Sequence, residues 1–178
     1  AEIVVELSKL QPPAGRMACQ GGDGAPLVVV DYAHTPDALA HILSALRDVA
    51  QARAGKLICL FGCGGDRDPG KRPEMGQVAV AGADVVCITS DNPRWESPAE
   101  ILSAIAVGAP SAVMVEDRAK AIAQAIAQAA MEDVVLLAGK GHETEQEIRG
   151  QRYPFDDAAH AKAALAAWRE HRLSGAEA

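Results

Sequence analysis

Four segments of the sequence carry side chains suited to chemistry, and each follows a short apolar run. They are DYAHTP from Asp31, the glycine-rich stretch 62–73, SDNPR from Ser90 and AGKGHE from Ala138. Carboxylates, an amide and guanidinium groups are the side chains with which proteins hold small charged ligands. Because the carboxyl ends of parallel strands meet at one edge of an open sheet, we expect the four segments to converge on one cleft.

The tetrapeptide from Asp91 to Arg94 places an acid, an amide, a proline and a guanidinium in consecutive positions. The planar fork of an arginine suits a carboxylate, whereas an aspartate suits an ammonium group. The implied ligand is a small zwitterion. The same four residues are also typical of a type I turn that enters a helix, so a purely structural role stays open.

Two other segments add acids to the expected cleft. In the segment around Gly139, the glycines allow close backbone approach to a ligand, and Glu143 can bind a second ammonium group. His142 reads equally well as a structural histidine. Asp31 ends a strand beside a helix N-terminus, where an acid can bind a ribose hydroxyl.

The stretch Gly65–Lys71 matches the phosphate-loop pattern G-x4-G-K, but Arg72 stands where a serine or threonine should follow. Two aspartates within the stretch also place negative charge where phosphate oxygens would bind. We therefore do not predict a phosphate loop. We expect a glycine-rich turn that carries Arg67, Lys71 and Arg72 into the cleft, with solvated surface charge as the alternative.

Composition excludes several classes of protein. The 178 residues hold 17 Lys and Arg against 24 Asp and Glu, a net charge of −7, which does not favour nucleic-acid binding. No apolar run approaches the roughly 20 residues that cross a bilayer. The four cysteines lack the spacing of a zinc site or a disulfide framework, so we expect reduced, structural thiols. These features predict a cytoplasmic protein with no membrane or nucleic-acid partner.

The elements that position the four segments follow from periodicity. Short β-branched runs alternate with Ala-rich amphipathic segments, which is typical of repeated βα units. We predict an α/β, Rossmann-like fold: a mostly parallel sheet of about six strands, one of them antiparallel at an edge, with helices on both faces. The hairpin Ile148–Tyr153 is expected to supply that edge strand. Five parallel strands are predicted at 27–31, 56–61, 84–90, 112–116 and 133–138.

Capping residues predict where the helices begin. Thr35 with Pro36 begins the first, Ser97 with Glu100 forms a capping box for another, and Asp117 and Asp156 cap two more. The Gly- and Pro-rich stretch 10–25 indicates a linker. We assign residues 1–25 to the end of a preceding domain and this linker, 26–172 to one domain, and 173–178 to a frayed tail. The first residue is Ala1, and we expect a fragment of a longer protein.

The combination of motifs is more specific than any one of them. GRM, DYAHTPDAL, FGCGGDRDPGKRP, DNPR and AGKGHE, in this order and at these spacings, resemble the C-terminal domain of the Mur ligases. The resemblance runs from about Ala14 to about Trp168. It is greatest for the members that add meso-diaminopimelate to UDP-N-acetylmuramoyl-L-alanyl-D-glutamate in peptidoglycan synthesis.

The resemblance implies one part of a three-domain, ATP-dependent ligase that forms an amide through an acyl phosphate and releases ADP. The other domains would bind the UDP-N-acetylmuramoyl dipeptide and most of the ATP and Mg²⁺, so the isolated chain is expected to be inactive. The family pattern implies no catalytic residue and no metal ligand in this chain. A stand-alone module that binds a zwitterionic metabolite is the alternative, and a small phosphotransferase that uses Gly65–Lys71 is a third reading.

The family's binding positions carry over onto particular residues. The incoming amino acid would be held by Arg67, Asp91, Asn92, Pro93, Arg94, Gly139 and Glu143. ATP would be reached by Arg16, Asp31, His34 and Lys71. Arg94 would bind the distal carboxylate that distinguishes diaminopimelate from lysine. Trp95 departs from the family pattern, which more often has a small polar residue after the tetrapeptide.

Overall fold

The computed structural model describes residues 17–175, so Arg16 and the first part of the expected linker, residues 10–16, lie outside the described part. Eight strands are described: β1 Ala18–Gly21, β2 Leu27–Asp31, β3 Leu57–Phe61, β4 Val85–Ile88, β5 Val113–Met114, β6 Val134–Ala138, β7 Glu145–Ile148 and β8 Gln151–Pro154. The helices are α1 Pro36–Ala52, α2 Lys71–Gly82, α3 Pro98–Ala106, α4 Arg118–Gln128 and α5 Asp157–Gly175.

The six strands β1 to β6 form one sheet in the order β1-β2-β6-β3-β4-β5. All neighbours from β2 to β5 are parallel, and β1 alone is antiparallel. The central strands LICLF and VVLLA are buried at every residue. Such continuous apolar runs are typical of parallel strands that are covered on both faces. The predicted Rossmann-like α/β fold is confirmed.

The assignment of the antiparallel edge strand was wrong. The edge strand is β1, which pairs with β2 and lies in the range expected as linker. The predicted hairpin exists, but β7 and β8 form a separate two-stranded sheet. Their residues are half-buried or exposed and mostly polar, so this pair has no apolar face with which to extend a buried sheet.

Helices cover the sheet on two sides. Residues of α1, α2 and α3 bury one face, and residues of α4 and α5 bury the other, including Leu165 and Trp168. The predicted caps at Thr35 and Asp117 are confirmed, since each side chain accepts a backbone N–H of the following helix. Asp156 likewise accepts two amides of α5. The capping box was wrong: Ser97 begins α3, but its side chain makes no cap hydrogen bond, and its carbonyl accepts the amides instead.

All four cysteines are free thiols, as expected. Cys59, Cys63 and Cys87 are buried, and burial raises the pKa of Cys59 to about 12. They therefore act as small apolar core residues. Among residues 17–175, no helix has both the length and the apolar character needed to span a membrane.

Candidate functional site

The loop after β3 lies directly against the loop after β4. The amide of Gly65 donates to the carbonyl of Asn92 at 2.9 Å. A Cβ at Gly65 would lie 2.0 Å from the carbonyl oxygen of Pro93, so only glycine fits this contact. The glycine-rich stretch therefore brings its loop into contact with the tetrapeptide that follows β4.

The hairpin β7–β8 holds the same tetrapeptide from the other side. The amide of Arg94 donates to Glu147 O at 3.0 Å, and the amide of Arg149 donates to Arg94 O at 2.6 Å. Gln146 Nε2 also donates to Asp91 O at 2.7 Å. Arg94 has a φ of +51°, a left-handed conformation that few non-glycine residues adopt. The hairpin therefore pairs with the tetrapeptide as a strand would, and it supports this uncommon backbone.

Asn92 and Glu143 meet although they follow different strands. Asn92 Nδ2 donates to Glu143 Oε2 at 2.9 Å. Lys140 Nζ lies 3.1 Å from Asn92 Oδ1 and 3.2 Å from Glu143 Oε2. The amide, the acid and the ammonium group form a closed triangle of hydrogen bonds, which fixes the relative position of the loops after β4 and β6.

Asp91 is a nearly buried carboxylate with no hydrogen-bond donor among residues 17–175. It is 8% exposed. A Cβ at Gly139 would lie 2.8 Å from Asp91 Oδ2, and Gly139 has a φ of +112°, so the glycine is required both for space and for conformation. The carboxylate oxygens of Asp91 still reach the surface, so a ligand's ammonium group can supply the donor that they lack. The fully buried Arg118 also interacts with Asp91 electrostatically.

The two predicted arginines lie on either side of Gly64. An ideal Cβ built at Gly64 lies 2.9 Å from Arg94 Nη1 and 3.6 Å from Arg67 Cγ. Arg94 Nη1 donates to Gly65 O at 2.7 Å, and its Nε lies 3.4 Å from Glu147 Oε2. Arg67 is exposed and donates only to the carbonyl of Asp66. Both cations remain accessible for a carboxylate.

A hollow of about 330 Å³ opens between the β4 loop, the β6 loop and the hairpin. Its lining includes Asn92, Glu143, Glu147 and Arg152. Arg67, Asp91 and Arg94 do not line it, although Arg94 is joined to it through its ion pair with Glu147. This volume suits a molecule of amino-acid size. The hollow contains acids that match ammonium groups, with the Arg94 guanidinium at its border to match a carboxylate.

Three of the four residues expected to reach ATP, Asp31, His34 and Lys71, lie together near the β2 loop. Lys71 Nζ donates to His34 O at 2.9 Å, and the exposed His34 ring lies 4.7 Å from the ring of Tyr32. An ammonium group and an exposed ring fit part of a nucleotide site. The carboxylate of Asp31 is already hydrogen-bonded within the chain, because its two oxygens accept the backbone amides of Met17 and Ala33. Its part in such a site is to shape the loop.

The structure tests two expectations about the glycine-rich stretch 62–73. The amide of Gly70 donates to Asp68 Oδ1 at 2.9 Å. This N–H group is therefore already hydrogen-bonded, whereas a phosphate loop would leave it free to bind phosphate. Arg72 does not enter the cleft: it is 4% exposed and donates to Glu96 Oε1 at 2.8 Å. It begins a helix whose inner face is buried, so it turns inward. Its hydrogen bond is the main cause of the lowered pKa of Glu96.

Among residues 17–175 no group of three or more His, Cys, Asp or Glu side chains is placed to hold a metal ion. No step is assigned to Mg²⁺ in this part of the chain.

Three residues of the site were missed by the sequence reasoning. Lys140 lies inside a segment that was singled out, but it was given no role. Glu147 lies just before the predicted hairpin Ile148–Tyr153 and was given no role. Arg118 is a fully buried arginine that donates to Ala138 O and to Asp157, and it thereby holds the end of β6. Only contacts between distant segments identify these three.

The parallel sheet, with its charged loops gathered at the carboxyl edge, places the chain among α/β domains that bind small molecules at that edge. Residues 15–141 match the family model described as Mur ligase, glutamate ligase domain. The chain belongs to the Mur ligase family.

Curated relatives carry the name UDP-N-acetylmuramoyl-L-alanyl-D-glutamate–2,6-diaminopimelate ligase. The chain is 54% identical to the one from Ralstonia nicotianae, over 93% of this chain and 33% of the relative. It is 58% identical to the one from Ectopseudomonas mendocina, over 94% of this chain and 34% of the relative. The chain thus spans about a third of the length of these relatives.

Solved structures agree. A structure of a ligase with the same name superposes with a TM-score of 0.80 at 45% identity, covering 90% of this chain and 33% of that one. A bifunctional folylpolyglutamate synthase/dihydrofolate synthase with Mn, AMPPNP and L-glutamate bound gives a TM-score of 0.58 at 26% identity, covering 74% of this chain and 30% of that one.

Proposed function

We propose that this chain is the C-terminal, amino-acid-binding domain of an ATP-dependent ligase that adds meso-diaminopimelate to UDP-N-acetylmuramoyl-L-alanyl-D-glutamate in the cytoplasm. The observation that carries the proposal is the meeting of Asn92 and Glu143 at one hollow, with Arg94 paired to Glu147 of the lining and Asp91 next to Asn92 in the same loop. The names of the relatives support the choice of substrate. Diaminopimelate carries two ammonium and two carboxylate groups, which match acids and arginines.

The residues of this chain bind and orient the amine donor. Asp91 and Glu143 accept hydrogen bonds from its ammonium groups, while Arg94 and Arg67 bind its carboxylates. Holding the amine in one orientation favours its attack, as the neutral free base, on the acyl phosphate presented by the other domains, because fixing two reactants removes much of the entropic barrier. The amide forms as the phosphate group leaves, and the nitrogen, which binds as an ammonium group, gives up two protons in all to the surroundings. When bound, ATP supplies the phosphoryl group that activates the D-glutamate carboxyl as an acyl phosphate, with ADP as product.

The other domains supply most of the contacts that bind the nucleotide. From this chain, Arg16, His34 and Lys71 are proposed to reach it, with Asp31 holding the β2 loop that carries His34. The site is complete only when the domains close together. We therefore propose that this chain alone is inactive, and that ATP and Mg²⁺ are bound chiefly outside it.

The substitution Arg94→Ala in the full-length protein tests the choice of amino acid. L-Lysine lacks the distal carboxylate, so losing Arg94 should harm only the diaminopimelate reaction. We expect the ratio of kcat/KM for meso-diaminopimelate to that for L-lysine to fall at least about tenfold, since a lost charged hydrogen bond has an effect of this order. Steady-state kinetics with both amino acids measure it.

The matched control is Arg169→Ala, which removes an exposed arginine of α5. It should leave the ratio unchanged. A ratio that Arg94→Ala does not alter would refute Arg94 as the residue that selects the substrate. A wild-type protein that turns over neither amino acid would refute the proposed function.

A further inference from the structure

Lys140 is a fully buried lysine beside the hollow, and the reaction described above does not use it. Its side chain is 0% exposed, and its Nζ lies 6.0 Å from the centroid of the Phe155 ring. Removing an ammonium group from water is costly, so buried lysines persist where specific partners bind the charge. The identity of those partners indicates what the lysine does.

Both hydrogen-bond partners of Lys140 are residues proposed to hold the substrate. Nζ donates to Asn92 Oδ1 at 3.1 Å and to Glu143 Oε2 at 3.2 Å. The two acceptors belong to different loops, one after β4 and one after β6. A single buried cation therefore connects the two loops that line the hollow.

The contacts of Lys140 also fix how each partner is oriented. Asn92 Oδ1 accepts from Lys140 and from the amide of Glu147 at 3.0 Å, so the NH₂ end of this amide is directed to Glu143. Glu143 Oε2 accepts hydrogen bonds from both Lys140 and Asn92. The other oxygen, Oε1, has no donor among residues 17–175, so it is the one available to a ligand.

Other charges nearby do not replace Lys140. Arg118 is also fully buried, but it pairs with Asp157 at 2.6 Å, and the two charges offset each other. Arg94 pairs with Glu147 at the border of the hollow. Of these three cations, Lys140 alone contacts Asn92 and Glu143.

We propose that Lys140 is a positioning residue for the amine-donor substrate: it orients Asn92 and Glu143 so that one carboxylate oxygen stays free for a ligand ammonium. This inference rests on the proposed function. Without the cation, Glu143 loses a donor and the Asn92 amide is free to turn. The substrate then meets a site whose acids are wrongly placed, while the nucleotide contacts around Lys71 are untouched.

The test uses the full-length protein with the substitutions Lys140→Gln and Lys140→Met. Glutamine is the milder change, because its amide can still donate to one partner. We expect both to raise the KM for meso-diaminopimelate at least about tenfold, the usual effect of losing a hydrogen bond between charged groups. The KM for ATP should stay within about twofold. Lys140→Arg, which keeps the charge, should have a lower KM for the amino acid than Lys140→Gln.

Lys120→Gln is the matched control, since the Lys120 side chain is 73% exposed and pairs only with Asp117. It should change neither KM. A folded Lys140→Gln or Lys140→Met protein with a wild-type KM for diaminopimelate would overturn the inference, as would equal increases in both KM values. If the wild-type protein does not use diaminopimelate, the proposed function fails and the inference fails with it. An active wild type with unaffected variants overturns the inference alone.

Discussion

At the scale of single residues, the site is an arrangement of charges in which some are paired and others are left for a ligand. Within residues 17–175, Asp91 is nearly buried and receives no donor, and Glu143 accepts hydrogen bonds through Oε2 only. Arg94 differs, because Glu147 lies 3.4 Å from its Nε. A ligand carboxylate that binds Arg94 must therefore compete with an acid of the protein itself.

The substitution Glu147→Gln tests this competition. The backbone amide and carbonyl of residue 147, which hold Asn92 and Arg94, are kept. Because the Arg94–Glu147 pair is partly exposed, its loss should lower the KM for meso-diaminopimelate by only about two- to fivefold. The KM for L-lysine should not fall. A higher KM for diaminopimelate would instead make Glu147 a direct ligand of an ammonium group.

At the scale of elements, buried ion pairs fasten the loops to the sheet. Arg118 at the start of α4 and Asp157 at the start of α5 are both fully buried and lie 2.6 Å apart. Arg118 also donates to the carbonyls of Ser90 and Ala138. One guanidinium thus holds the ends of two strands from which the site loops begin.

Asp157→Asn should destabilise the domain by about 3–5 kcal/mol, because it leaves the Arg118 charge buried without a counter-ion. The double substitution R118M/D157L should recover much of this loss, since no charge then stays buried. Urea unfolding measures both against Glu170→Gln, an exposed control on α5. An Asp157→Asn protein as stable as the wild type would contradict this account of the pair.

The Arg72–Glu96 pair predicts a dependence of stability on pH. The hydrogen bond from Arg72 lowers the pKa of Glu96 in the folded chain. The ionised Glu96 therefore stabilises the folded chain fully above the ordinary pKa of a glutamate, about 4.3. This stabilisation is lost as the pH falls through the lower pKa that Glu96 has in the folded chain. Glu96→Gln should lower the free energy of unfolding by about 1–2 kcal/mol at pH 7, a modest amount because the pair is only partly buried. At the acid end of this pH range the substitution should change the free energy of unfolding by almost nothing.

Urea unfolding at several pH values checks this, with Glu100→Gln, an exposed change in α3, as the control. A stability difference between the wild type and Glu96→Gln that stays constant down to acid pH would contradict it.

The sequence predicts elements well where periodicity and capping are local. The buried strands β3 and β6 and the helix begun by Thr35 were placed within a residue or so, because each depends on its own segment. The edge strand β1 was missed, since four residues of mixed polarity become a strand only when β2 lies beside them. For a similar reason Arg72 was expected in the cleft, because the acid that binds it, Glu96, comes from another segment.

At the scale of the whole molecule, the proposed function makes this chain one side of a site. Its relatives are about three times as long, and Asp68 occupies an amide that a phosphate loop would keep free. We therefore predict that the 178-residue chain alone shows no ATP hydrolysis that depends on diaminopimelate, whereas the full-length protein does. A coupled ADP assay on both proteins measures this. Turnover by the chain alone would favour the phosphotransferase reading.

Binding of the amino acid to the complete protein tests the central claim most directly. Isothermal titration calorimetry of the full-length protein, with its UDP-sugar substrate and a non-hydrolysable ATP analogue, compares meso-diaminopimelate with L-lysine. We predict that diaminopimelate binds at least about tenfold more tightly, and that Arg94→Ala removes most of the difference. Equal affinities in the wild type, or a preference that survives Arg94→Ala, would contradict the account.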